Sequence, residues 1–475
     1  MPADYWVAVT GGTVIDGTGQ APRRADVLIS DGRITEVGTF QQDGVPRGAE
    51  LRTIDATGKT VMPGLIDAHC HMTYGESRTE EEIDLYTSAE LRTLRAAWNA
   101  AKVLRAGVTS ISQPGGSYFI GVGLREAINE GFVLGPRMSS AGRYMTTSNG
   151  LTDWYPDSVG VPQGSIGILT NTLPAMIDEI RQQAKAGVDF IKVADSPMGD
   201  YQAFTDDELK AMADLAHQLG KRITIHARGS AEVRAAVAAG FDWIMHGNIM
   251  SDETIEALAD SQIPLVPTLT LLANSTTYGA EVRVPKGLYN AWARLMDDTG
   301  DALHRAHQAG VRFVTGTDSG FSLTPYGEWH ARELSLLMDY AGLSASEAIQ
   351  AATANAAVTT NHAGQVGQLV PQMIADLIVV DGDPLTDITV LEDRRNIVEV
   401  ISGGTIVEFD EAMIARRWPH ERGLTYSELD LFYRPGSGRA APGPDDGLRE
   451  RGLTDTDHDL AADIGRRERE ARLDA

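Results

Sequence analysis

The chain has 475 residues, with 66 acidic against 41 basic side chains and a formal net charge of -25. That balance disfavours nucleic acid, whose phosphates need a cationic footprint, and the length accommodates one large domain plus a smaller one with a substantial core. A single cysteine excludes an intramolecular disulfide and fits a reducing cytoplasm, and neither a basic, apolar leader nor a run of about 18 apolar residues points to a membrane.

Residues 6 to 60 read as short β segments, such as Trp6–Val9 and Ala25–Ser30, joined by turn pairs like Asp31-Gly32. The same texture returns near the other end, in Leu377–Asp381 and Val398–Gly404, so a small β-sandwich domain built from both ends of the chain is expected, over residues 1–60 and 365–410.

Between them, apolar runs alternate with amphipathic, helix-like stretches. Candidate strands fall at 64–69, 107–112, 137–142, 188–193, 222–227, 242–246, 264–269 and 312–317. Several are entered through a helix-ending glycine, namely Gly187, Gly220, Gly240 and Gly310. Thr205-Asp206-Asp207-Glu208 reads as a capping box, and Ser251-Asp252 opens another helix. Near-continuous apolar strands alternating with helices imply a parallel sheet covered on both faces. Eight such strands predict an α/β fold, a (β/α)8 TIM barrel over residues 61–364. Beyond residue 410 a C-terminal extension, Pro- and Gly-rich after about residue 433 and then highly charged, is expected to be partly disordered.

In such a barrel the chemistry sits at the C-terminal strand ends. His69 and His71 lie two apart on the first strand and share a face, because side chains alternate with period two. Lys192 falls on the fourth strand, His226 on the fifth, His246 on the sixth and Asp318 closes the eighth, so all six converge on one mouth. His217, His304 and His307 fall in the outer helices and read as solvated or packing residues. Lys192, one of only seven lysines, is flanked by Phe190, Ile191 and Val193. Burial there favours the neutral amine, while a salt bridge to a nearby carboxylate is the alternative.

His69-x-His71, Lys192, His226, His246 and Gly316-Thr317-Asp318 together resemble the metal-dependent amidohydrolase superfamily, in its two-metal, lysine-containing form. The segments Glu347–Thr353 and Ala375–Val380 are similar to the branch holding imidazolonepropionase-like proteins, Xaa-Pro dipeptidases and ochratoxin-degrading amidases. The resemblance implies two divalent metal ions, zinc by default with cobalt, manganese or iron compatible with the same donors. It implies carbon dioxide held as a carbamate on Lys192 between them, and His69, His71 and Asp318 on one metal with His226 and His246 on the other. Water activated by the metals would attack a carbonyl, with Asp318, Lys192 and His246 as the catalytic residues and Asp318 moving the proton to the leaving nitrogen.

Substrate contacts are expected from Tyr118, Arg143, Tyr144, Trp154, Arg228 and His330. The long segment Tyr144–Gly164 reads as a cover for the mouth, although its aromatics fit a core role equally well. Arg228 suits either a substrate carboxylate or an acidic neighbour. The stretch Gly316–His330 resembles phenylurea and molinate (thiocarbamate) hydrolases, which tilts the expectation toward a neutral urea or thiocarbamate; a dipeptide or N-acyl amino acid is the alternative. A non-catalytic binding or assembly protein on the same fold stays open, and a single-metal deaminase has no need of Lys192. The expected setting is a cytoplasmic homo-oligomer acting on a small molecule, without nucleic-acid or membrane partners.

Overall fold

A computed structural model describes residues 5–41, 44–77, 79–278 and 286–416. Most of the predicted C-terminal extension therefore lies outside the described residues. No helix among the described residues is long and apolar enough to cross a membrane.

The first strands, β1 (Tyr5–Val14), β2 (Arg23–Ser30), β3 (Arg33–Gly38), β4 (Glu50–Asp55) and β5 (Thr60–Pro63), belong to one sheet. β1 changes partner along its length, pairing with β4 over Tyr5–Thr10 and with β5 at Thr13 and Val14 after a bulge between Val9 and Gly12. Nine further strands follow: β6 (Leu65–Asp67), β7 (Val108–Gln113), β8 (Arg137–Ser140), β9 (Tyr144–Thr146), β10 (Gly167–Leu169), β11 (Phe190–Ala194), β12 (Arg222–Gly229), β13 (Trp243–Ile249) and β14 (Leu265–Val266). The chain then returns through β15 (Leu377–Val380), β16 (Ile397–Ser402) and β17 (Thr405–Ile406) to the first sheet, where β15 lies antiparallel to β5. Strands from both ends of the chain thus share one sheet, over a cluster that includes Val7, Val9, Val27, Ile29, Val61, Leu377 and Val379.

The middle strands are parallel. β6 pairs with β7 and β7 with β8; Asp189 N donates to Ser140 O at 2.8 Å, which joins β8 to the start of β11. From there β11, β12, β13 and β14 pair in sequence order. Every residue of β7 and of β11 is buried, as a sheet covered on both faces requires. The connecting helices carry the caps the sequence signals. Thr205 and Glu208 close a reciprocal box, with Glu208 N donating to Thr205 Oγ1 at 3.3 Å and Thr205 N to Glu208 Oε2 at 2.9 Å. Ser251 caps the helix Asp252–Ser261, and Gly240 ends the helix before β13 at φ 84°, a conformation that favours glycine.

Two predicted strands look different in three dimensions. The third is split into β8 and β9, so Tyr144–Thr146, expected at the head of a loop, is itself strand. The eighth is an irregular run. Leu265 N donates to Arg312 O and Val314 N to Leu265 O on one side, both at 2.9 Å; Ala68 N donates to Thr315 O at 3.0 Å and Asp318 N to His69 O at 2.7 Å on the other. The ladder breaks because Thr315 N turns away to Ala351 O. Gly316 sits so close to the first strand that an added Cβ would lie 2.7 Å from His69 Cβ. These bonds link 312–318 to both β14 and β6, and so connect the last of the parallel segments to the first.

Candidate metal centre

The strand ends bring His69, His71, Lys192, His226, His246 and Asp318 into one buried cluster, with Asp318 8 % exposed and the others less. His69 Nε2 lies 3.0 Å from His71 Nε2, and Asp318 Oδ1 lies 3.1 Å from the latter and 3.5 Å from the former. The ring centroids of His226 and His246 are 4.1 Å apart, and those of His69 and His246 5.2 Å apart. His246 (φ 81°) and Asp318 (φ 55°) both adopt left-handed backbone conformations that non-glycine residues occupy rarely, and such strain concentrates at functional sites.

Hydrogen bonds fix the tautomers of the first pair. His71 Nδ1 donates to Gly115 O at 2.8 Å. Thr268 Oγ1 gives its own proton to Val266 O at 3.2 Å, and so accepts from His69 Nδ1 at 2.9 Å. Both Nε2 atoms therefore present lone pairs to each other and to a carboxylate oxygen, an arrangement that needs a cation between them. Protonation is a poor substitute, because burial pushes His69 well below the usual histidine range despite the pull of Asp318. His226 Nε2 and both ring nitrogens of His246 are buried without a hydrogen-bond partner among the described residues, and burial holds both side chains well below the usual range too. Unpartnered imidazole nitrogens beside a carboxylate form the donor set that divalent transition metals take, and the residues fit such ions.

Lys192 is 1 % exposed. Its Nζ touches Met245 Sδ at 2.7 Å. Burial lowers its pKa to about 7, with Asp318 opposing and Arg228 adding to the drop, so a large share of neutral amine exists near neutral pH. Burial alone would raise the Asp318 carboxyl. A positive charge held between the His69 and His71 rings, together with Arg228, outweighs it and holds the group below the ordinary carboxylate range. Asp318 is thus ionised at neutral pH and able to accept a proton.

The expected substrate contacts divide. The Tyr144 hydroxyl reaches 3.0 Å from His71 Nε2 and also bonds the Tyr74 hydroxyl, which puts it inside the cluster. Arg228 follows His226 by two residues; its Nη1 donates to Asn248 Oδ1 at 2.6 Å, its Nε has no hydrogen-bond partner, and it has no salt bridge among the described residues. Burial lowers it to about 10, against the pull of Asp318 and Glu232, so it remains a cation. Arg143 instead turns to Gln163 O at 3.3 Å. Tyr118 is half-buried against the cluster around Ile111 and Leu124. Trp154 is 39 % exposed and its indole donates to Asp84 Oδ2 at 3.4 Å. His330 is buried, bonded to Asp67 and to Gly327 N, and its ring nitrogens do not reach the metal-ligand side chains.

Sequence reasoning passed over several participants. Asp84 gathers Trp154, Tyr155, Ser165 and Ile166 N around one buried carboxylate and so ties down the segment expected to cover the mouth. Thr268 orients His69, and Tyr326 donates to His71 O. Asp67 carried a readable signal, since a carboxylate inside a buried apolar strand must be paired.

Residues 60–407 match the model of the Amidohydrolase family, and the chain belongs to that family. It is similar to the ochratoxinase of Aspergillus niger, 28 % identical over 432 residues that span 84 % of this chain and 86 % of the relative. Among solved structures it resembles a Xaa-Pro dipeptidase with bound methionine in its active site, with 27 % identity, a TM-score of 0.75, and coverage of 85 % of this chain and all of that one. A molinate hydrolase shares the fold, at 24 % identity and a TM-score of 0.70 over 86 % of this chain and 96 % of that one. Such neighbours imply an α/β fold of the TIM-barrel kind for a family of hydrolases.

Proposed function

We propose that the protein is a binuclear, metal-dependent amidohydrolase that cleaves the C–N bond of an amide whose substrate carries a free carboxylate, such as an N-acyl amino acid or a Xaa-Pro dipeptide. In this reading residues 61–364 form a closed (β/α)8 barrel, and residues 1–60 with 365–410 form a composite β domain beside it. His69, His71 and Asp318 would hold one cation and His226 and His246 the other, with Lys192, as a carbamate, supplying a further anionic donor; zinc is the default ion for these donors. Divalent cations held there supply an activated water and polarise the scissile carbonyl.

The chain's own groups do the rest. Asp318, ionised and 3.1 Å from His71 Nε2, accepts the proton of the attacking water and returns it to the leaving nitrogen. The Tyr144 hydroxyl, beside His71 Nε2, is placed to donate to an oxygen that gains charge on attack. The observation that carries the substrate class is Arg228, a half-buried cation two residues beyond His226 on the same strand. It is bonded through Nη1 to the neutral Asn248, has no salt bridge among the described residues, and has a free Nε–H. A guanidinium so placed favours an anion. A dipeptide, the substrate that the Xaa-Pro dipeptidase name implies, carries one.

The neutral urea or thiocarbamate alternative drew on Gly316–His330, but His330 is engaged with Asp67. A panel of N-acyl amino acids, Xaa-Pro dipeptides, aryl ureas and thiocarbamates, assayed with zinc and after chelation, decides between them. Metal-dependent turnover confined to the carboxylate-bearing members is expected. Turnover confined to the neutral members would overturn the substrate class, and undiminished turnover by metal-free protein would overturn the metal reading.

A further inference from the structure

Asp67, Cys70 and His330 form a second cluster whose ligand-type atoms lie within 4.8 Å of one another, all buried. Its bonding argues against a metal site. Asp67 Oδ1 accepts from His69 N at 2.9 Å and Thr317 N at 3.1 Å, and Oδ2 accepts from Thr317 Oγ1 at 2.5 Å and His330 Nδ1 at 2.7 Å. His330 Nε2 accepts from Gly327 N at 3.1 Å, which places the ring proton on Nδ1, facing Asp67. Cys70 Sγ points to Met72 Sδ at 3.7 Å. Both carboxylate oxygens and both ring nitrogens are already used.

The geometry points to a clamp: His330, through Asp67, fixes the spacing between His69 on the first strand and Asp318 on the irregular eighth one, and so sets the affinity of the first metal position. Among the described residues, Asp67 is the one side chain that bonds the backbone N–H of His69 and both the N–H and hydroxyl of Thr317, the neighbour of Asp318. The eighth segment needs such a tie because its regular ladder is broken at Thr315 and Gly316. His330 accordingly acts as a positioning residue through Asp67. This inference rests on the metal-centre reading above. Partners in the outer shell of a metal site commonly change affinity by about 10- to 100-fold when removed.

The test is a titration of the full-length, metal-depleted protein with Zn2+ and with Co2+, following stoichiometry, affinity and the cobalt visible spectrum. His330→Leu is expected to weaken one of the two sites, that of His69, His71 and Asp318, by about 10- to 100-fold and alter the cobalt spectrum. His330→Asn, whose amide N–H can occupy the place of Nδ1–H, is expected to recover most of that affinity. Thr317→Val, which removes one bond to Asp67 at nearly constant volume, is expected to weaken the same site less and keeps the question answerable if His330→Leu fails to fold. Wild-type affinity in both His330→Leu and Thr317→Val, or equal loss in His330→Leu and His330→Asn when both are folded, would overturn the clamp. Wild-type protein that binds no metal would overturn instead the reading on which the clamp rests.

Discussion

The two halves of the metal-ligand cluster are built differently. In the half formed by His69, His71 and Asp318, each imidazole has its remote nitrogen tied, to Thr268 or to Gly115 O, and Asp67 links the two backbones. In the half formed by His226 and His246, three ring nitrogens have no partner and the neighbouring Lys192 meets a thioether. The first half is organised by the protein before any ion arrives. The second, on the reading proposed above, would be organised by what it binds. An unpaired buried polar group costs about 1 to 3 kcal/mol, so the second half stores instability that cations and a carbamate would relieve.

The strongest way to break that contrast is Lys192→Ala. It removes the amine proposed to carry the carbamate while leaving the half formed by His69, His71 and Asp318 untouched. Activity is expected to be abolished, and the metal content of the folded protein to fall from close to two ions per chain toward one, measured by elemental analysis, with partial rescue by a short carboxylate plus metal. Normal turnover or two tightly held ions in the variant would show that the second half does not depend on this lysine.

Asp318→Asn probes the organised half next. The amide keeps the size and one oxygen but cannot cycle a proton, so the metal content should stay largely intact while kcat drops by about 10² to 10⁴. A loss under about tenfold would move Asp318 from proton transfer to a purely structural role.

The same contrast explains what could be read from the sequence. The six residues that cluster were legible because each follows an apolar stretch of a parallel strand, with Lys192, His226 and His246 inside β11, β12 and β13 and the others just beyond strand ends. The parallel segments were legible from period and helix-ending glycines, except the last, where the approach of Gly316 to His69 breaks the ladder without disturbing apolar content. The partners of the supports were not legible, although Asp67 itself announced a need for one. Asp67 meets His330 across 263 positions and Thr317 across 250, and Thr268 meets His69 across 199, separations at which no local pattern survives. His330, seen only as a polar residue downstream of Asp318, therefore read as a substrate contact.

Arg228→Met sharpens the boundary between the second half and the substrate. If its guanidinium clamps a carboxylate, the substitution should lower kcat/KM for N-acyl amino acids or dipeptides by about 1.5 to 3 kcal/mol and leave neutral amides nearly unchanged, since the lost interaction is a charge-assisted hydrogen bond. A uniform loss across both classes would place Arg228 among groups that serve the cluster itself.

The smallest effect concerns Glu333, which supports the organised half from behind. It is wholly buried and accepts from Leu269 N at 2.9 Å and Thr270 N at 2.8 Å, next to the Thr268 that holds His69. Burial raises its pKa from 4.5 to about 7, with the hydrogen bonds from Thr270 and Leu269 opposing. A carboxyl raised in the folded state contributes stability that is fully present below its unfolded pKa and is lost as pH climbs through the folded one. Between pH 5 and pH 8 the wild type should therefore lose stability relative to Glu333→Gln, whose side chain does not titrate, by on the order of 1 to 3 kcal/mol. Urea unfolding of metal-free protein at several pH values reads this directly, because every other titrating group is common to both proteins and cancels in the difference. Parallel pH profiles would mean that Glu333 is already ionised in the folded state at pH 5, held so by Leu269 N, Thr270 N and the Thr270 hydroxyl, and that this support carries no strain.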